Sequence, residues 1–196
     1  MVVCWLMSAT LASADPQGWT KVAERDGIRV EARSVVGSRV REIRATGDID
    51  ATPAACYAVI HAVADYPRTM PDLKAARVLR QEGDDVVWTY TRVEAPLVSA
   101  RDYALRFSTT READGTIRIA WTPANEAAPP LPRGVIRVEV NTGSWTLAPL
   151  DGGARTHATY HLLTDPGGSV TTWLAEQANK TAVPDVLRAV RKAARH

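Results

Sequence analysis

The alternating side chains of segment 101–108 are the clearest indication of a binding site in this sequence. Successive side chains of an extended strand point to opposite faces. One face of this segment carries Asp102, Ala104, Arg106 and Ser108. A packed core face is filled with large apolar side chains, whereas a ligand cavity needs space and a few polar anchors. The strand by itself leaves two interpretations open: Arg106 faces a ligand cavity, or this face meets water and Arg106 forms a surface salt bridge.

A guanidinium inside such a cavity needs partners, because a lone buried charge is costly. The preceding predicted strand offers Thr89 and Tyr90, but no carboxylate before Glu94. We expect Arg106 to donate hydrogen bonds to Thr89, Tyr90, Asp102 or the polar head group of a ligand through its forked donors.

Motifs of catalysis and metal binding are missing from the sequence. It contains no Gly-x-Ser-x-Gly elbow, no P-loop and no Gly-x-Gly-x-x-Gly turn. His157 and His161 would lie roughly 13 Å apart along one strand, too far apart for one metal ion. Arg101 and Asp102 point to opposite sides of a strand, so they form no acid–base pair. The sequence thus predicts a protein that is not an enzyme and that uses no cofactor or metal.

Composition and charge fit one globular domain. The chain has 196 residues, of which 45% are hydrophobic and 23% charged, which is ordinary for a domain that can hold a core and a cavity. The net charge of +2 and the dispersed basic residues argue against a nucleic-acid partner. The basic cluster in 188–195 falls at a predicted helix end, where cations favour the helix dipole. Contact with an anionic membrane or partner is the alternative.

The first residues are typical of an export signal. Residues 1–14 are apolar and uncharged, and they end in Ala12-Ser13-Ala14. No basic residue precedes this run, which is too short to span a bilayer. We expect a signal peptide at 1–14 and an exported, periplasmic domain at 15–196. Cleavage would leave Cys56 as the one cysteine, so no internal disulfide is expected.

Many short strands followed by one long helix must position these residues. Strands are predicted at 19–25, 28–34, 40–49, 75–81, 86–94, 101–110, 117–122, 134–140, 144–148 and 156–163. Thr52-Pro53 opens a helix that we expect to end at Asp65-Tyr66-Pro67. An amphipathic helix over 169–195 would be about 40 Å long, and Pro184 is expected to kink or break it. A long helix laid on an antiparallel sheet is α+β architecture.

Short motifs recur in a characteristic order from Gly18 to Ala193. They are Arg41-Glu42-Ile43-Arg44-Ala45, Tyr66-Pro67 through Met70-Pro71, Arg77-Val78-Leu79, Ser99-Ala100-Arg101-Asp102-Tyr103, Gly134-Val135-Ile136-Arg137, Trp145 through Pro149, Asp165-Pro166-Gly167-Gly168 and Trp173-Leu174. Together, this order and spacing resemble the START lipid-transfer family, named for its steroidogenic regulatory founder. The resemblance implies a helix-grip fold, in which a curved antiparallel sheet wraps a long C-terminal helix around an internal hydrophobic tunnel.

The resemblance also implies which residues would line and close the tunnel. In the family, an arginine at the Arg106 position reaches into the tunnel, and a mobile loop at the position of 125–134 helps to cover its mouth. The Pro-rich segment 125–134 could instead be a structural loop, and Trp173 could be a core anchor. The expected ligand-binding residues are Thr89, Tyr90, Asp102, Arg106, Trp121, Leu131, Trp173 and Gln177.

These observations predict binding, and transfer, of a lipid or other apolar small molecule, sterol-like or acyl, without catalysis. We expect a monomer with transient membrane contact. One alternative is a cyclase-like or hydratase-like enzyme of the helix-grip superfamily. The other is an interaction domain whose interior is filled by its own side chains.

Overall fold

An N-terminal hairpin begins the fold in the computed structural model, which describes residues 18–70, 72–94 and 99–195, without the side chains of 172–179. β1 (Thr20–Arg25) and β2 (Ile28–Arg33) are antiparallel. Asp26 and Gly27 join them with φ of 55° and 66°, as the predicted two-residue hairpin turn requires. β3 (Glu42–Ile49) then pairs with β2. The predicted signal peptide at 1–14 lies outside the described residues.

Two helices follow β3. α1 (Pro53–His61) starts as predicted, with the Thr52 hydroxyl accepting a hydrogen bond from the backbone N–H of Ala55 at 3.2 Å. Tyr66-Pro67 was expected to end this helix. It instead begins a second short helix, α2 (Tyr66–Thr69), after a 3-10 turn. Proline is well suited to the first turn of a helix, because the N–H that it lacks would have no helical partner there.

The remaining strands complete one large open sheet. They are β4 (Leu73–Glu82), β5 (Val86–Val93), β6 (Arg101–Arg111), β7 (Ile117–Pro123), β8 (Ile136–Arg137), β9 (Val140–Leu150) and β10 (Arg155–Asp165). The order across the sheet is β1-β2-β3-β10-β9-β7-β6-β5-β4. Neighbours along this order are antiparallel, and β8 lies beside β6. Pairing of β3 with β10 brings the first and last thirds of the chain together.

The predicted strand 134–140 is much shorter than expected. β8 pairs with β6 in parallel, through hydrogen bonds from the Ile136 N–H to the Ala100 carbonyl (2.9 Å) and from the Val138 N–H to the Asp102 carbonyl (2.9 Å). The pairing of β7 with β6 stops where Pro123 lies opposite Leu105. β8 pairs with the part of β6 before that point, at Arg101 and Asp102. Only a short stretch of that edge is free, which limits the length of β8.

The long C-terminal helix α3 (Thr172–Ala193) packs on the concave side of the sheet, against β3 and β10. Val183, Leu187 and Val190 have no accessible surface and belong to the main apolar core. The helix runs across Pro184 without the break that was considered from the sequence. Burial of apolar side chains on both sides of Pro184 offsets the cost of about 3 kcal/mol of a proline in a helix interior.

The architecture confirms the predicted α+β helix-grip fold, with an antiparallel sheet around a C-terminal helix. Among the described residues, no helix is both long and apolar enough to cross a membrane.

Candidate functional site

Neighbouring residues of β6 define the two faces of the sheet. Tyr103, Leu105 and Phe107 pack against the apolar core, whereas Arg106 is exposed. The Arg106 guanidinium lies 5.3 Å from the centre of the Trp88 ring, on the outer face. The structure therefore places Arg106 on the face opposite to the one expected. The interior is lined by the bulky face of β6.

The outer face of β6, which carries Asp102, Ala104 and Arg106, has small residues where another segment of the chain covers it. The side-chain carbonyl of Asn125 accepts a hydrogen bond from the Ala104 N–H at 3.0 Å, and its amide donates to the Val138 carbonyl at 2.8 Å. Ala104 has no accessible surface. A larger residue at this position would push the covering segment away. The small residues of this face, of which Ala104 is fully buried, thus indicate a covered outer face here.

Asp102 lies in a buried ion pair on this outer face. Its carboxylate accepts hydrogen bonds from Arg137 at 2.7 and 3.0 Å and from the Tyr90 hydroxyl at 3.0 Å. The hydrogen bond with Asp102 raises the pKa of Arg137. Burial and then Asp102 raise the pKa of Tyr90. Arg137 also donates to the Pro129 carbonyl at 2.9 Å. The predicted partners Tyr90 and Asp102 are therefore brought together, but they fasten β8 and the Pro-rich loop.

The Pro-rich loop 125–134 has the contacts expected of a structural loop. Hydrogen bonds to β6 and β8 hold its first residue, Asn125, and the carbonyl of Pro129, and the predicted site residue Leu131 is 54% exposed. Two further predicted residues, Trp173 and Gln177, belong to α3, in the stretch whose side chains lie outside the described part of the chain.

A row of aromatic rings crosses the inner face of the sheet. Ring centres are 5.6 Å apart for Phe107 and Trp121, 5.7 Å for Trp121 and Tyr160, and 4.4 Å for Tyr160 and Trp145. The sheet register explains the row, since Phe107 lies opposite Trp121 and Trp145 opposite Tyr160. Trp121, one of the residues expected to bind ligand, thus lies on the inner face. We call these four residues the aromatic row.

Gly143 allows the Trp121 ring to lie across β9. A Cβ atom at this position would be 2.2 Å from Cζ2 of Trp121 and 2.3 Å from the His161 carbonyl oxygen. The ring is also oriented by a hydrogen bond of 3.1 Å from its Nε1 to Oδ1 of Asn141. The position and tilt of Trp121 are therefore set by two residues of β9.

Uncharged hydroxyl groups accompany the aromatic row. The Tyr66 hydroxyl donates to the Ile60 carbonyl at 2.5 Å. Burial raises the pKa of Tyr103 to about 12, against a smaller opposing effect of a hydrogen bond with Thr91. Burial also raises the pKa of Tyr66 and Tyr160, and the nearby Tyr103 phenol raises both further. At neutral pH these phenols are therefore neutral hydrogen-bonding groups that lie near one another.

Several inner side chains are enclosed by protein but retain accessible surface. Burial strongly raises the pKa of Tyr66 and Tyr103, yet both side chains keep some accessible surface. Phe107 is also only partly buried. A small void of about 20 Å³, the size of one water molecule, lies between α1 and the inner face of β5 to β7, beside the predicted residue Thr89. These features mark a space the size of one water molecule between α1 and the inner face of the sheet.

The residues of the aromatic row that the sequence analysis missed are Phe107, Trp145 and Tyr160. The residues Thr156, Ala158, Tyr160 and Leu162 alternate with more polar neighbours on β10, and this period of two indicates an inward face. That pattern could have identified Tyr160. On β6, the sequence analysis considered the face of Asp102, Ala104 and Arg106 as the interior one, whereas Phe107 belongs to the opposite face, which lines the core.

The histidines of β10 have local partners. His157 lies 2.7 Å from an Asp48 oxygen, and His161 lies 3.4 Å from a Glu42 oxygen. Within the part of the chain that the structure describes, no group of three His, Cys, Asp or Glu side chains could hold a metal ion.

Comparisons with known proteins agree with this architecture. The family model described as polyketide cyclase/dehydrase and lipid transport matches residues 49–191. An uncharacterised protein of Pseudomonas aeruginosa is 34% identical over 179 residues, which cover 91% of this chain and 87% of that protein. Mouse phosphatidylcholine transfer protein is 26% identical over 193 residues, covering 96% and 87%.

A solved structure extends the match to three dimensions. The STAR-related lipid transfer protein of Xanthomonas axonopodis superposes with a TM-score of 0.83 at 30% identity, over 91% of this chain and 99% of that one. Both the sequence match and the shared sheet-and-helix arrangement span most of the chain. The chain therefore belongs to the polyketide cyclase/dehydrase and lipid transport family, and its fold is the helix-grip fold of the START lipid-transfer proteins.

Proposed function

We propose that this protein binds a lipid or similar apolar small molecule between α3 and the inner face of the sheet, and transfers it without catalysis. The aromatic row is the observation that carries the proposal. It presents four large rings on one continuous face inside the fold. Such a surface gains free energy by excluding water from an apolar ligand.

The free energy available is sufficient for useful binding. A ligand that buries about 400 Å² of apolar surface gains on the order of 10 kcal/mol before entropic and desolvation costs are subtracted. Two relatives carry lipid transfer in their names, one of them specifically phosphatidylcholine transfer. Their likeness supports a lipid as the class of ligand here.

The inner face supports a carrier over an enzyme of the same family. Cyclisation or dehydration needs a general acid or base with a pKa near the working pH. The inward side chains of the described segments 87–91, 103–109, 117–121, 141–147 and 156–162 are uncharged, and the pKa values of Tyr66, Tyr103 and Tyr160 are raised away from neutrality. His61 and Asp85, which border the small void beside α1, lie outside these segments. A cyclase or dehydrase remains the second candidate, because the family description includes it.

Transfer requires the ligand to enter and leave the enclosed interior. In our proposal, the segments that enclose the inner face of the sheet, α3 among them, shift during transient contact with a membrane. The protein acts as an exported, periplasmic monomer, and its partner is a lipid rather than a nucleic acid. The apolar segment 1–14 and the modest net charge of +2 support this proposal.

Mass spectrometry of an organic extract tests the proposal directly. We expect protein purified without detergent to carry a stoichiometric apolar molecule that an unrelated protein, purified in parallel, lacks. An empty extract, together with failure to take up lipid from vesicles, would contradict the proposal.

Two adjacent residues of β6 provide a matched pair of variants. Phe107→Ala removes a ring from the interior and should lower the amount of ligand retained. Arg106→Ala changes an exposed side chain on the outer face and should leave it unchanged. Equal loss in both variants would show that the ligand does not occupy the inner face.

A further inference from the structure

The outer face of the sheet is basic at the end formed by β4, β5 and β6. The guanidinium carbons of Arg80 and Arg106 lie 3.9 and 5.3 Å from the ring centre of Trp88. The guanidinium carbon of Arg77 lies 5.5 Å from the ring centre of Tyr90. The register explains this arrangement, since Trp88 lies opposite Arg80 on one side and Arg106 on the other. We call these three exposed arginines and two rings the basic face.

Two of the three arginines have no acidic partner. Arg80 forms an exposed ion pair with Glu82 at 2.7 Å. No carboxylate in the described part of the chain lies within ion-pair distance of Arg77 or Arg106, whose contacts are with the rings. Asp102 is on the same face, but it is fully buried and already in an ion pair. The basic face therefore carries positive charge that these residues do not neutralise.

The basic face adjoins an unpaired strand edge, because β4 is the last strand of the sheet. The N–H of Thr109 in β6 donates to the carbonyl of Asp85, just before β5, at 2.8 Å, so the odd-numbered residues of β5 bond to β6. Ala76 and Val78 of β4 lie opposite odd-numbered residues of β5. Their backbone groups therefore point away from β5, and Val78 is 45% exposed.

Charge and backbone hydrogen bonding together indicate what fits this edge. A lipid surface offers no strand to pair with the outward N–H and C=O groups. A second copy of β4 would offer one, but it would bring the arginines of both copies together on one face, and like charges opposite each other are destabilising. A strand with carboxylates on one face would both pair with the edge and neutralise Arg77.

We propose that β4 and the basic face dock an extended acidic segment of a partner protein, which adds to the sheet as a further strand beside β4. Because the side chains of a strand alternate between two faces, every second residue of this segment would be Asp or Glu. Main-chain hydrogen bonds to Ala76 and Val78 would give affinity. The carboxylates would lie next to Arg77, and Arg106 would add positive potential from farther away. This inference goes beyond the proposed function and is independent of the molecule held inside the fold.

Peptides of equal charge and different pattern test strand addition. The full chain is titrated with fluorescein-labelled peptides of eight residues, and fluorescence polarisation is followed. One alternates threonine and glutamate, one has four threonines before four glutamates, and one alternates threonine and lysine. We expect the alternating acidic peptide to bind at least about 5-fold more tightly than the block peptide, and the lysine peptide not to bind. Equal binding of both acidic peptides, or of neither, would overturn the inference.

Variants of β4 separate the backbone contact from the charge contact. Val78→Pro removes an outward N–H at a position where an edge strand tolerates proline, and it should weaken the alternating acidic peptide at least about 10-fold. Arg77→Glu leaves the backbone intact and should shift the preference to the lysine peptide. Arg25→Gln, on the opposite edge strand β1 with its side chain 82% exposed, is the control and should change nothing. Unchanged affinities in Arg77→Glu would overturn the inference even if Val78→Pro fails to fold.

Vesicles that contain phosphatidylglycerol are the competing probe. If they bind, if Arg77→Glu abolishes this binding, and if no peptide binds, the basic face contacts a membrane and the inference fails. The lipid content of the purified protein should be the same in Arg77→Glu as in the wild type, because this side chain is on the outer face. An empty interior in both proteins would contradict the proposed function alone, so the two failures are distinguishable.

Discussion

At the scale of single residues, the role of a polar side chain on the outer face of β6 depends on whether another segment covers it. Asp102 and Arg106 are on the same face of β6, but Asp102 has no accessible surface and Arg106 is exposed. The difference arises from the covering segment, which reaches Asp102 through Arg137 and ends before Arg106. A buried charge in this protein therefore holds structure together on the outside of the sheet.

The Asp102–Arg137 pair should be important for stability. Asp102→Asn leaves the mostly buried Arg137 guanidinium without its counter-charge, and we expect the free energy of unfolding to fall by about 3–5 kcal/mol. Urea denaturation measures this change. Asp85→Asn, which breaks the exposed pair with Arg111, is the control and should cost about 1 kcal/mol or less. Similar losses in both variants would contradict the role of burial.

Gly143 should be specifically required by the Trp121 ring. Gly143→Ala places a methyl group where the ring lies, so we expect a loss of about 1–3 kcal/mol in the free energy of unfolding and a shift in tryptophan fluorescence. Thr142→Ala, on the opposite face of β9, should leave the fluorescence unchanged. A Gly143→Ala protein with normal stability and normal fluorescence would contradict the prediction.

At the scale of elements, α3 depends on packing more than on helix propensity. Pro184 lies within the helix, yet the apolar side chains around it are fully buried against the sheet. Tertiary contact thus outweighs a strong local preference. Tertiary contact also sets the length of β8. This strand is short because β7 pairs with the rest of that edge of β6.

Truncation of the buried stripe of α3 should destabilise the whole fold. Leu187→Ala removes a side chain with no accessible surface, and we expect the free energy of unfolding to fall by about 2–5 kcal/mol. Lys192→Ala, on the exposed side of α3, should change it by less than about 0.5 kcal/mol. The two variants are compared in one thermal or urea experiment, and a Leu187→Ala protein as stable as the wild type would show that α3 contributes little.

At the scale of the whole molecule, buried phenols make the fold sensitive to alkali. A tyrosine in the unfolded chain ionises near pH 10, whereas Tyr103 in the folded protein has its pKa raised to about 12. Between these values the unfolded state releases a proton that the folded state keeps. Stability is therefore full below about pH 10 and falls as the pH rises toward 12.

Alkaline titration measures this effect. We expect Tyr103 alone to contribute a loss of about 2 kcal/mol by pH 12, and phenolate absorbance to rise together with unfolding. Tyr103→Phe should lose less stability over the same pH range. Early, reversible ionisation of all five tyrosines in a protein that stays folded would contradict the burial of the phenols.

Patterns formed by residues that are close in the sequence predicted the helices and strands well. The Asp26-Gly27 turn, the Thr52 cap and the strand-rich order before a long helix all follow from local backbone preferences and side-chain periodicity, and the structure confirms them. The order of motifs also led to the correct family and fold class. The turn, the cap and the strands could be predicted because each depends on residues that are close in the sequence, whereas the family follows from the order of short motifs along the whole chain.

The sequence by itself thus determined the fold class and the alternation along each strand, whereas the tertiary structure decided which face of β6 is the interior. That choice depends on residues far along the chain, because Arg137 pairs with Asp102, 35 positions before it, and the rings of Trp121 and Tyr160 meet across Gly143. An alternating strand has two faces, and local composition cannot say which one a distant segment will cover. Long-range packing makes that decision, since it buries the larger apolar face beneath α3.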